Sequence, residues 1–226
     1  MVTTTEVTWH YETLPRTTQD ALEILSKEQW LASDKWYLAG GTAITLTVGH
    51  RLSIDLDFFT TERDIDVDAI MRALSKFGSD WNVVSQDHAT LYGELSGAKI
   101  SFIAYPFFVP LQPYCTLGTV NVLDLRDIAV MKIVAVSQRG RKRDFYDLYW
   151  YMKNREPLLD VIKRLGKQFP HHAHNYHHLL AALIYFIDAE RDEDPIITFR
   201  ASWKQVKEFF EAEVPRVTRE VLELED

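Results

Sequence analysis

The chain has 226 residues, of which 46% are hydrophobic and 26% are charged. These values are ordinary for a globular protein, and the length fits one compact domain with an appendage or two modest domains. The formal net charge of −8 argues against sequence-blind nucleic-acid binding by the whole surface, although a local basic group stands at 139–143.

Three features predict a reducing compartment and no membrane association. Cys115 is the only cysteine, so no internal disulfide can form. The first residues lack the basic start and apolar run of a signal peptide. No run of roughly 18 apolar residues, the length needed to cross a bilayer, is present in the sequence. We therefore expect a cytoplasmic protein.

The first half of the sequence alternates between helical and strand-like patterns. Apolar residues at helical spacing predict helices, and short apolar or alternating runs predict strands. The turn at 96–98 predicts a hairpin, and the prolines of 105–114 exclude a regular helix there. The predicted elements in chain order are a helix at 17–33, a strand at 36–39, a helix at 42–49, a strand at 53–59, a helix at 64–78 that ends at Gly78, and strands at 81–85, 89–95 and 98–105.

From about residue 124 onward the pattern is helical throughout. The predicted helices begin with one capped by Asp124 and continue at 143–154, 158–168, 174–189 and 199–224, the last with a kink or break at Pro215. We therefore predict an α/β (α+β) domain with a mixed sheet at 1–120, followed by a helical C-terminal domain at 121–226.

The segment SIDLDFF at 53–59 carries two aspartates. Side chains alternate along a strand, so Ser53, Asp55 and Asp57 are predicted to share one face. Paired carboxylates on a rigid strand suit Mg²⁺, whereas an exposed strand with its aspartates in water is the alternative. D-x-D also occurs in metal-dependent glycosyltransferases. Phosphohydrolases of the haloacid dehalogenase type want D-x-D-x-T, but Phe59 stands at the Thr position.

Gly40 and Gly41 lie between the strand at 36–39 and the following helix. A strand that ends in two glycines and enters a helix lets backbone amides approach a phosphate, and the helix N-terminus favours negative charge. His50 and Arg51 then lead back to the aspartate strand. The pattern predicts a triphosphate held between backbone donors and a metal ion, with an ordinary tight turn as the alternative.

Lys132 is the only charge in IAVMKIVAVS at 128–137. A helix that is apolar nearly all round is predicted to be buried, and a buried ammonium needs a partner. A triphosphate would be a fitting partner. The alternatives are that Lys132 reaches the surface or pairs with a carboxylate.

Positive charge is concentrated at 139–143, directly before a helix that carries Asp144 and Asp147. This basic group, made of Arg139, Arg141, Lys142 and Arg143, is predicted to meet phosphates of the triphosphate or of a polynucleotide. A solvated turn is the alternative. The two aspartates are three residues apart and share a helix face. They would orient Lys132 or Arg143, or contribute to the site directly.

Two segments carry a family resemblance. WYLAGGTAITLTVGHRLSIDLDFFT resembles motif I of the nucleotidyltransferase superfamily, in which G-[GS] precedes D-x-D. It is more closely similar to the AbiEii-type nucleotidyltransferases, many of which are toxins of bacterial type IV toxin–antitoxin pairs. MKIVAVSQRGRKRDFYDLYW resembles a second block of that family, so that the resemblance covers 36–60 and 131–150.

The resemblance implies a polymerase-β-like nucleotidyltransferase fold. The implied reaction transfers a nucleoside monophosphate from a nucleoside triphosphate to an acceptor hydroxyl, with Mg²⁺ held by Asp55 and Asp57. RNA such as tRNA is the leading acceptor, and a cognate antitoxin is a candidate partner. The residues that the resemblance assigns to catalysis are Asp55, Asp57, Lys132 and Asp147, and those that it assigns to nucleotide binding are Gly40, Gly41, Thr42, Arg51, Ser53, Lys132, Arg143 and Asp144.

One position departs from the pattern of this superfamily. Many members add a third carboxylate from a later strand, but Ser101 stands there in this chain, and Glu94 is a substitute only if it points the same way. Two other functions therefore stay open. One is a catalytically weak nucleotide-binding or regulatory module, and the other is a nucleotidyltransferase that acts on a small molecule.

The segment HHAHNYHH at 171–178 is rich in histidine. If the segment is helical, His171, His174 and His178 share a face, and the last two have a spacing that binds zinc. Neither a cysteine nor an H-E-x-x-H motif accompanies them. We therefore favour a polar helix start or a solvated patch.

Overall fold

The computed structural model describes residues 7–32, 35–171 and 175–222, without the side chain of Leu222. The chain forms two compact units. The first contains the residues up to Pro106 together with Gln112–Leu125, and the second contains Phe107–Leu111 together with the residues from Arg126 onward.

The first unit is built on a seven-stranded sheet. Its strands are, in chain order, β1 (Tyr37–Ala39), β2 (Leu56–Thr60), β3 (Trp81–Gln86), β4 (Thr90–Leu95), β5 (Ala98–Ala104), β6 (Cys115–Leu117) and β7 (Val120–Val122). Across the sheet they lie in the order β3-β4-β5-β2-β1-β7-β6. β2 is antiparallel to β1 and parallel to β5, so the sheet is mixed, as predicted.

β2 is the central strand of this sheet and alternates between its two faces. Leu56, Phe58 and Thr60 are buried, whereas Asp57 and Phe59 lie on the other face and are partly exposed. Phe58 stacks on Phe102 of β5, with 5.2 Å between the ring centroids. Burial of this apolar face fixes the register of β2, and with it the face on which Asp57 lies.

In the described part of this unit, three α-helices and three 3₁₀ helices accompany the sheet. The α-helices are α1 (Arg16–Leu25), α2 (Gly40–Val48) and α3 (Val67–Leu74), and the 3₁₀ helices are Tyr11–Thr13, Gln29–Leu31 and Ser75–Asp80. α1 buries Ala21, Leu22 and Leu25 and contacts β5. Asp66 caps α3, because its carboxylate accepts a hydrogen bond from the N–H of Ala69 at 2.9 Å.

The predicted hairpin between β4 and β5 is confirmed. Leu95 pairs with Ala98, so the connection consists of Ser96 and Gly97. Both residues have positive φ, 52° and 82°, as the favoured two-residue hairpin turns require.

The second unit is helical. Its α-helices are α4 (Leu125–Arg139), α5 (Lys142–Asn154), α6 (Leu158–Gln168), α7 (Tyr176–Ala182) and α8 (Trp203–Leu222), with a 3₁₀ helix at Ala189–Arg191. α8 contacts α5, α6 and α7. Within the described ranges, no helix is long and apolar enough to cross a membrane.

An aromatic cluster fills the interior of this helical unit. Phe145 of α5 is completely buried and contacts the rings of Phe186, Trp203 and Phe210. Trp203 and Phe210 both belong to α8, so their contacts with Phe145 hold α5 against α8.

The structure corrects several predicted boundaries in the first unit. The strand predicted at 53–59 begins only at Leu56, so Ser53 and Asp55 precede it and strand alternation does not place them. The helix predicted at 17–33 ends at Leu25, and the one predicted at 64–78 is α-helical only to Leu74. β6 and β7 were not predicted, because three-residue strands are too short to show a period.

The second unit is less helical than predicted. The helix predicted at 174–189 is α-helical only over Tyr176–Ala182, and residues 192–202 contain no helix. The predicted break at Pro215 is wrong, because α8 continues through it to Leu222. Burial of Val214 and Val217 on either side of the proline holds the helix together there.

Candidate active site

The first turn of α2 fixes the loop that leads into β2. The hydroxyl of Thr42 lies 2.8 Å from the hydroxyl of Ser53 and within hydrogen-bond distance of the backbone carbonyl of Asp55. A carbonyl can only accept, so Thr42 donates to Asp55 and accepts from Ser53. This pair of contacts holds Asp55 beside the start of α2.

Other backbone and hydroxyl groups hold the same loop. The backbone N–H of Ser53 donates to the carbonyl of Thr13 at 3.1 Å. The hydroxyl of Thr18 donates to the backbone carbonyl of Ile54 at 2.9 Å, and the hydroxyl of Thr45 donates to the backbone carbonyl of Arg51 at 3.3 Å. The loop is irregular in conformation but is held by several hydrogen bonds, which limits its freedom.

Asp57 lies on β2 between Ala39 of β1 and Ser101 of β5, which are its partners in register. The hydroxyl of Ser101 donates to Oδ1 of Asp57 at 2.6 Å. Gly40 stands on the other side, and a Cβ there would lie 3.2 Å from Oδ2. The φ of Gly40 is +70°, so both the backbone and the nearby carboxylate favour glycine.

Gly41 allows the guanidinium of Arg51 to approach the backbone of α2. A Cβ at this glycine would collide with that guanidinium. Arg51 is 2% exposed and donates from Nη1 to the carbonyl of Leu52 at 2.8 Å. A buried positive charge therefore lies at the N-terminal end of α2, where the helix dipole also favours an anion.

Asp55 and Asp57 are the two carboxylates of this segment that the sequence assigned to a metal ion, and the hydroxyl of Ser101 stands beside Asp57 where a third carboxylate was sought. Glu94 lies on the same sheet face as Ser101 but two residue pairs further along, opposite Lys99. Among the residues that the structure describes, no group of three or more His, Cys, Asp or Glu side chains could hold a metal ion. Mg²⁺ is consistent with two carboxylates, because it retains water and binds phosphate oxygens.

A second cluster of charges lies inside the helical unit. Nζ of Lys132 on α4 is 2.5 Å from Oδ1 of Asp144 and 2.6 Å from Oδ2 of Asp147, both on α5. The lysine side chain is 4% exposed and both carboxylates are fully buried. Lys132 therefore pairs with carboxylates and does not reach the surface.

Arg139 completes the charge balance of this cluster. Its Nε donates to Oδ2 of Asp144 at 3.0 Å, so two cations face two carboxylates. Burial raises the pKa of the Asp144 carboxyl, but the charges of Lys132 and Arg139 lower it, and the net pKa lies below its usual value. Asp144 therefore stays ionised at neutral pH despite its burial.

The basic group at 139–143 is largely paired with carboxylates of its own unit. Nη1 of Arg141 is 2.7 Å from Oδ1 of Asp192, and Oδ2 of the same aspartate accepts the backbone N–H of Lys142 at 3.0 Å. Nζ of Lys142 lies 3.1 Å from Asp194. Arg141 and Lys142 are thus held in ion pairs with aspartates, whereas Arg143, on the same helix, is exposed.

Comparison with known proteins decides the family. Residues 23–91 and 98–223 match the family model described as "Nucleotidyl transferase AbiEii toxin, Type IV TA system". The chain belongs to the AbiEii nucleotidyltransferase family. It is therefore a nucleotidyltransferase that transfers a nucleoside monophosphate, as the resemblance implied.

Relatives of this AbiEii nucleotidyltransferase agree with the family match. "Uncharacterized protein aq_aa25" of Aquifex aeolicus (strain VF5) is 36% identical over 203 residues, which cover 84% of this chain and 96% of that protein. Two solved structures are similar over 94% of the chain with a TM-score of 0.55 and 16% identity. They are a putative nucleotidyltransferase from H. pylori, of which 99% is covered, and JHP933 from Helicobacter pylori, of which 96% is covered. The likeness confirms the predicted nucleotidyltransferase fold.

The histidine cluster of this AbiEii chain receives little support as a zinc site. His174 lies outside the described residues. α7 begins at Tyr176, so His171 precedes the helix, and both His171 and His178 are exposed. The helical face predicted from their spacing therefore does not include His171.

The family motifs led to the aspartates and glycines but missed the residues that hold them. Thr13 and Thr18 contact the loop before β2 from positions distant in the sequence, and Thr45 contacts it from within α2. Asp192 and Asp194 contact the basic group from about fifty residues further along the chain. Isolated threonines and a surface run of acids have no periodic or motif signal, so nothing in the sequence marked them.

Proposed function

We propose that this nucleotidyltransferase transfers a nucleoside monophosphate to a hydroxyl of RNA, with tRNA as the leading candidate and Mg²⁺ as the cofactor. The observation that carries the proposal is the environment of Asp57. One of its oxygens accepts a hydrogen bond from Ser101, and the other lies beside Gly40 at the start of α2. A metal-binding carboxylate thus adjoins a helix N-terminus, which is a phosphate-binding element.

The triphosphate would bind at the start of α2. The first N–H groups of a helix lack partners inside it and carry a partial positive charge. Gly40 and Gly41 have no side chains to keep a phosphate oxygen away from that backbone. Arg51 adds a full positive charge, and the hydroxyls of Thr42 and Ser53, which bond each other and the carbonyl of Asp55, would hold the loop beside the triphosphate.

Asp55 and Asp57 would hold the Mg²⁺ ion. When bound, the ion neutralises charge on the triphosphate and on the pyrophosphate that leaves. The hydrogen bond from Ser101 fixes the direction of the Asp57 carboxylate. Two carboxylates leave coordination positions for water and phosphate, which is consistent with triphosphate binding.

Lys132, Asp144 and Asp147 form the second functional cluster of the proposal. Two of the three N–H donors of the Lys132 ammonium point to the carboxylates, which leaves one donor for a phosphate oxygen. Asp144 and Asp147 would position the ammonium. Arg143, exposed on the same helix as the two aspartates, would contact a phosphate of the acceptor.

The family description also supports a biological role. AbiEii proteins are described as toxins of type IV toxin–antitoxin systems. We infer that the chain acts in the cytoplasm as a toxin in such a pair or in defence against phage, opposed by a cognate antitoxin protein.

Label transfer tests the proposed reaction. The protein is incubated with each of the four α-labelled ribonucleoside triphosphates, Mg²⁺ and total bacterial RNA, and labelled RNA is resolved by gel. We expect one triphosphate to label a discrete RNA band, with loss of the label in Asp55→Asn, in Asp57→Asn and on chelation of Mg²⁺. Asp80→Asn removes an exposed aspartate of the same unit and serves as the matched control.

Three outcomes contradict the proposal. Label transferred to protein or to a small molecule, with RNA unlabelled, would replace the acceptor. Transfer that survives chelation would exclude Mg²⁺. Unchanged transfer by Asp55→Asn and Asp57→Asn would remove the metal site from these residues.

A further inference from the structure

A groove with a volume of about 310 Å³ lies in the first unit. Trp30, Trp36 and Thr60 at the end of β2 line it, together with Ala69, Ile70 and Ala73 of α3. Thr60 is 2% exposed. The groove therefore has an apolar, partly aromatic interior.

This groove and Asp57 belong to opposite faces of the sheet. Thr60 shares the face of Phe58, and residues alternate along β2, so Asp57 lies on the other face. Both tryptophan rings contact Phe102, which is paired with Phe58, at centroid distances of 5.5 Å and 5.3 Å. A ligand in the groove would not occupy the face used by Asp57.

The rim of the groove is acidic. Glu62, Asp64 and Asp66 line it and are exposed, and none of them forms an ion pair with any residue in the described ranges. Lys35 is the one basic side chain among the described lining residues. A second groove shares Ile65 and Asp66 with the first and adds Asp68 and Asp87, so the acidic surface continues beyond the rim.

We propose that this groove docks a segment of another protein through an arginine or lysine side chain. A cation is attracted to the faces of tryptophan rings. Carboxylates beside the groove compensate for the hydration that the cation loses when it enters. The same carboxylates repel phosphate, which disfavours RNA and nucleotides as occupants. The groove has room for the long apolar stem of an arginine or lysine, whose charged end would lie at the rim.

Fluorescence anisotropy with a labelled peptide tests the docking site. The probe is a fluorescein-labelled peptide, GSRGRGSG, and its matched control carries citrulline in place of both arginines, which removes the charge and keeps the shape. At about 50 mM salt, where screening is weak, we expect the full-length protein to bind the arginine peptide at least roughly tenfold more tightly than the citrulline peptide.

Two sets of variants locate the binding. Glu62→Gln with Asp64→Asn, which keeps side-chain volume, and Trp36→Phe, which keeps a ring against Phe102, should each weaken binding several-fold. Asp160→Asn with Glu211→Gln removes the same two charges from exposed positions of the other unit and should leave binding unchanged. Label transfer to RNA should be unchanged in all of them, so this inference and the proposed reaction can fail separately.

The proposal is overturned by any of four results. These are no binding of the arginine peptide, equal binding of the citrulline peptide, unchanged binding by the groove variants, and displacement of the peptide by uridine or by single-stranded RNA in a manner that depends on Trp36. The last result would make the groove a base-binding site.

Discussion

At the scale of single residues, Gly40 meets two demands at once. Its φ of +70° belongs to the left-handed region that side chains disfavour, and its Cα faces the carboxylate of Asp57. Gly78 also has a positive φ, +57°, but a Cβ there would meet nothing within 4 Å. A substitution at Gly78 therefore causes backbone strain alone, whereas a substitution at Gly40 causes backbone strain and also crowds Asp57.

Gly40→Ala is expected to lose activity beyond what its instability explains. We expect both Gly40→Ala and Gly78→Ala to lose about 1–3 kcal/mol of unfolding free energy through strain. Only Gly40→Ala should lower the rate of label transfer, by roughly tenfold or more, because its new methyl group displaces Asp57. Urea unfolding and initial rates measure the two effects. Equal rates for the two variants would contradict the assigned role of Asp57.

Ser101→Ala isolates the hydrogen bond to Asp57. The variant leaves the carboxylate in place but removes a donor at 2.6 Å, so the direction of the Asp57 carboxylate is less well fixed. We expect a several-fold higher Mg²⁺ concentration for half-maximal transfer, with little change in stability. Ser85→Ala, on the exposed β3 of the same sheet, is the matched control. An unchanged Mg²⁺ requirement would show that Ser101 does not act through the metal site.

At this scale the sequence identified the candidate site residues but not the residues that hold them in place. Asp55, Asp57 and the two glycines form a motif within one short segment, so their proximity could be predicted from local chain geometry. The threonines that hold the intervening loop come from three separate elements, the first 3₁₀ helix with Thr13, α1 with Thr18, and α2 with Thr45. Their contacts depend on tertiary folding, and a threonine by itself is compatible with any surface.

At the scale of elements, the N-terminus of α5 is capped by a residue that is distant in the sequence. Arg141, its N-cap residue, makes no side-chain cap, and the backbone N–H of Lys142 is bound instead by the carboxylate of Asp192. The same helix carries Asp144 and Asp147. The acidic segment that follows α7 therefore stabilises the helix that positions the Lys132 cluster.

Asp192→Asn should destabilise the helical unit. The variant keeps an acceptor but removes the charge paired with Arg141 at 2.7 Å, and we expect a loss of about 1–2 kcal/mol in unfolding free energy. Glu193→Gln changes the exposed neighbour and should have no effect. Urea unfolding of both variants measures the difference, and equal stabilities would contradict the capping role.

The buried ion pair between Lys132 of α4 and Asp144 of α5 makes the stability of the protein depend on pH. The pKa of Asp144 is lower in the folded chain than its usual value. Its contribution is therefore complete above the unfolded pKa, near 4, and is lost as the pH falls through the folded pKa. We expect the unfolding free energy to fall below about pH 4, less steeply in Asp144→Asn than in the parent protein.

Asp144→Asn should also be less stable at neutral pH, by roughly 3–5 kcal/mol, because Lys132 and Arg139 lose a buried partner. Urea unfolding between pH 6 and pH 3 provides both quantities, with Asp160→Asn as the exposed control. Parallel pH profiles for the parent protein and Asp144→Asn would refute the linkage.

The predictability of each element followed its length and periodicity. The hairpin of β4 and β5 has two alternating strands and a turn with glycine, and it was predicted correctly. β6 and β7 have three residues each and gain their stability from pairing with each other and with β1. Pro215 lacks an N–H donor, yet buried valines on both sides outweigh the local preference to end the helix.

At the scale of the whole molecule, the charge distribution predicts that the affinity for RNA depends only weakly on salt concentration. The net charge is −8, and three of the four basic residues at 139–143 are paired with aspartates. Such residues release few counterions from RNA. We expect a slope of the logarithm of affinity against that of salt concentration on the order of −1 to −2, reduced by about one in Arg143→Ala.

Fluorescence anisotropy with labelled tRNA across a range of salt concentrations measures that slope. Lys163→Ala, on the exposed part of α6, is a control for loss of one positive charge. A slope as steep as that of a basic RNA-binding protein would contradict the pairing described for the basic group.

Asp192 and Asp194 also act as a built-in competitor. Because they are joined to Arg141 and Lys142 by the same chain, they are present at an effective concentration that a free anion in solution does not reach. An anion from solution must therefore displace a tethered carboxylate before it can pair with Arg141 or Lys142, which lowers the affinity of this corner of the molecule for anions.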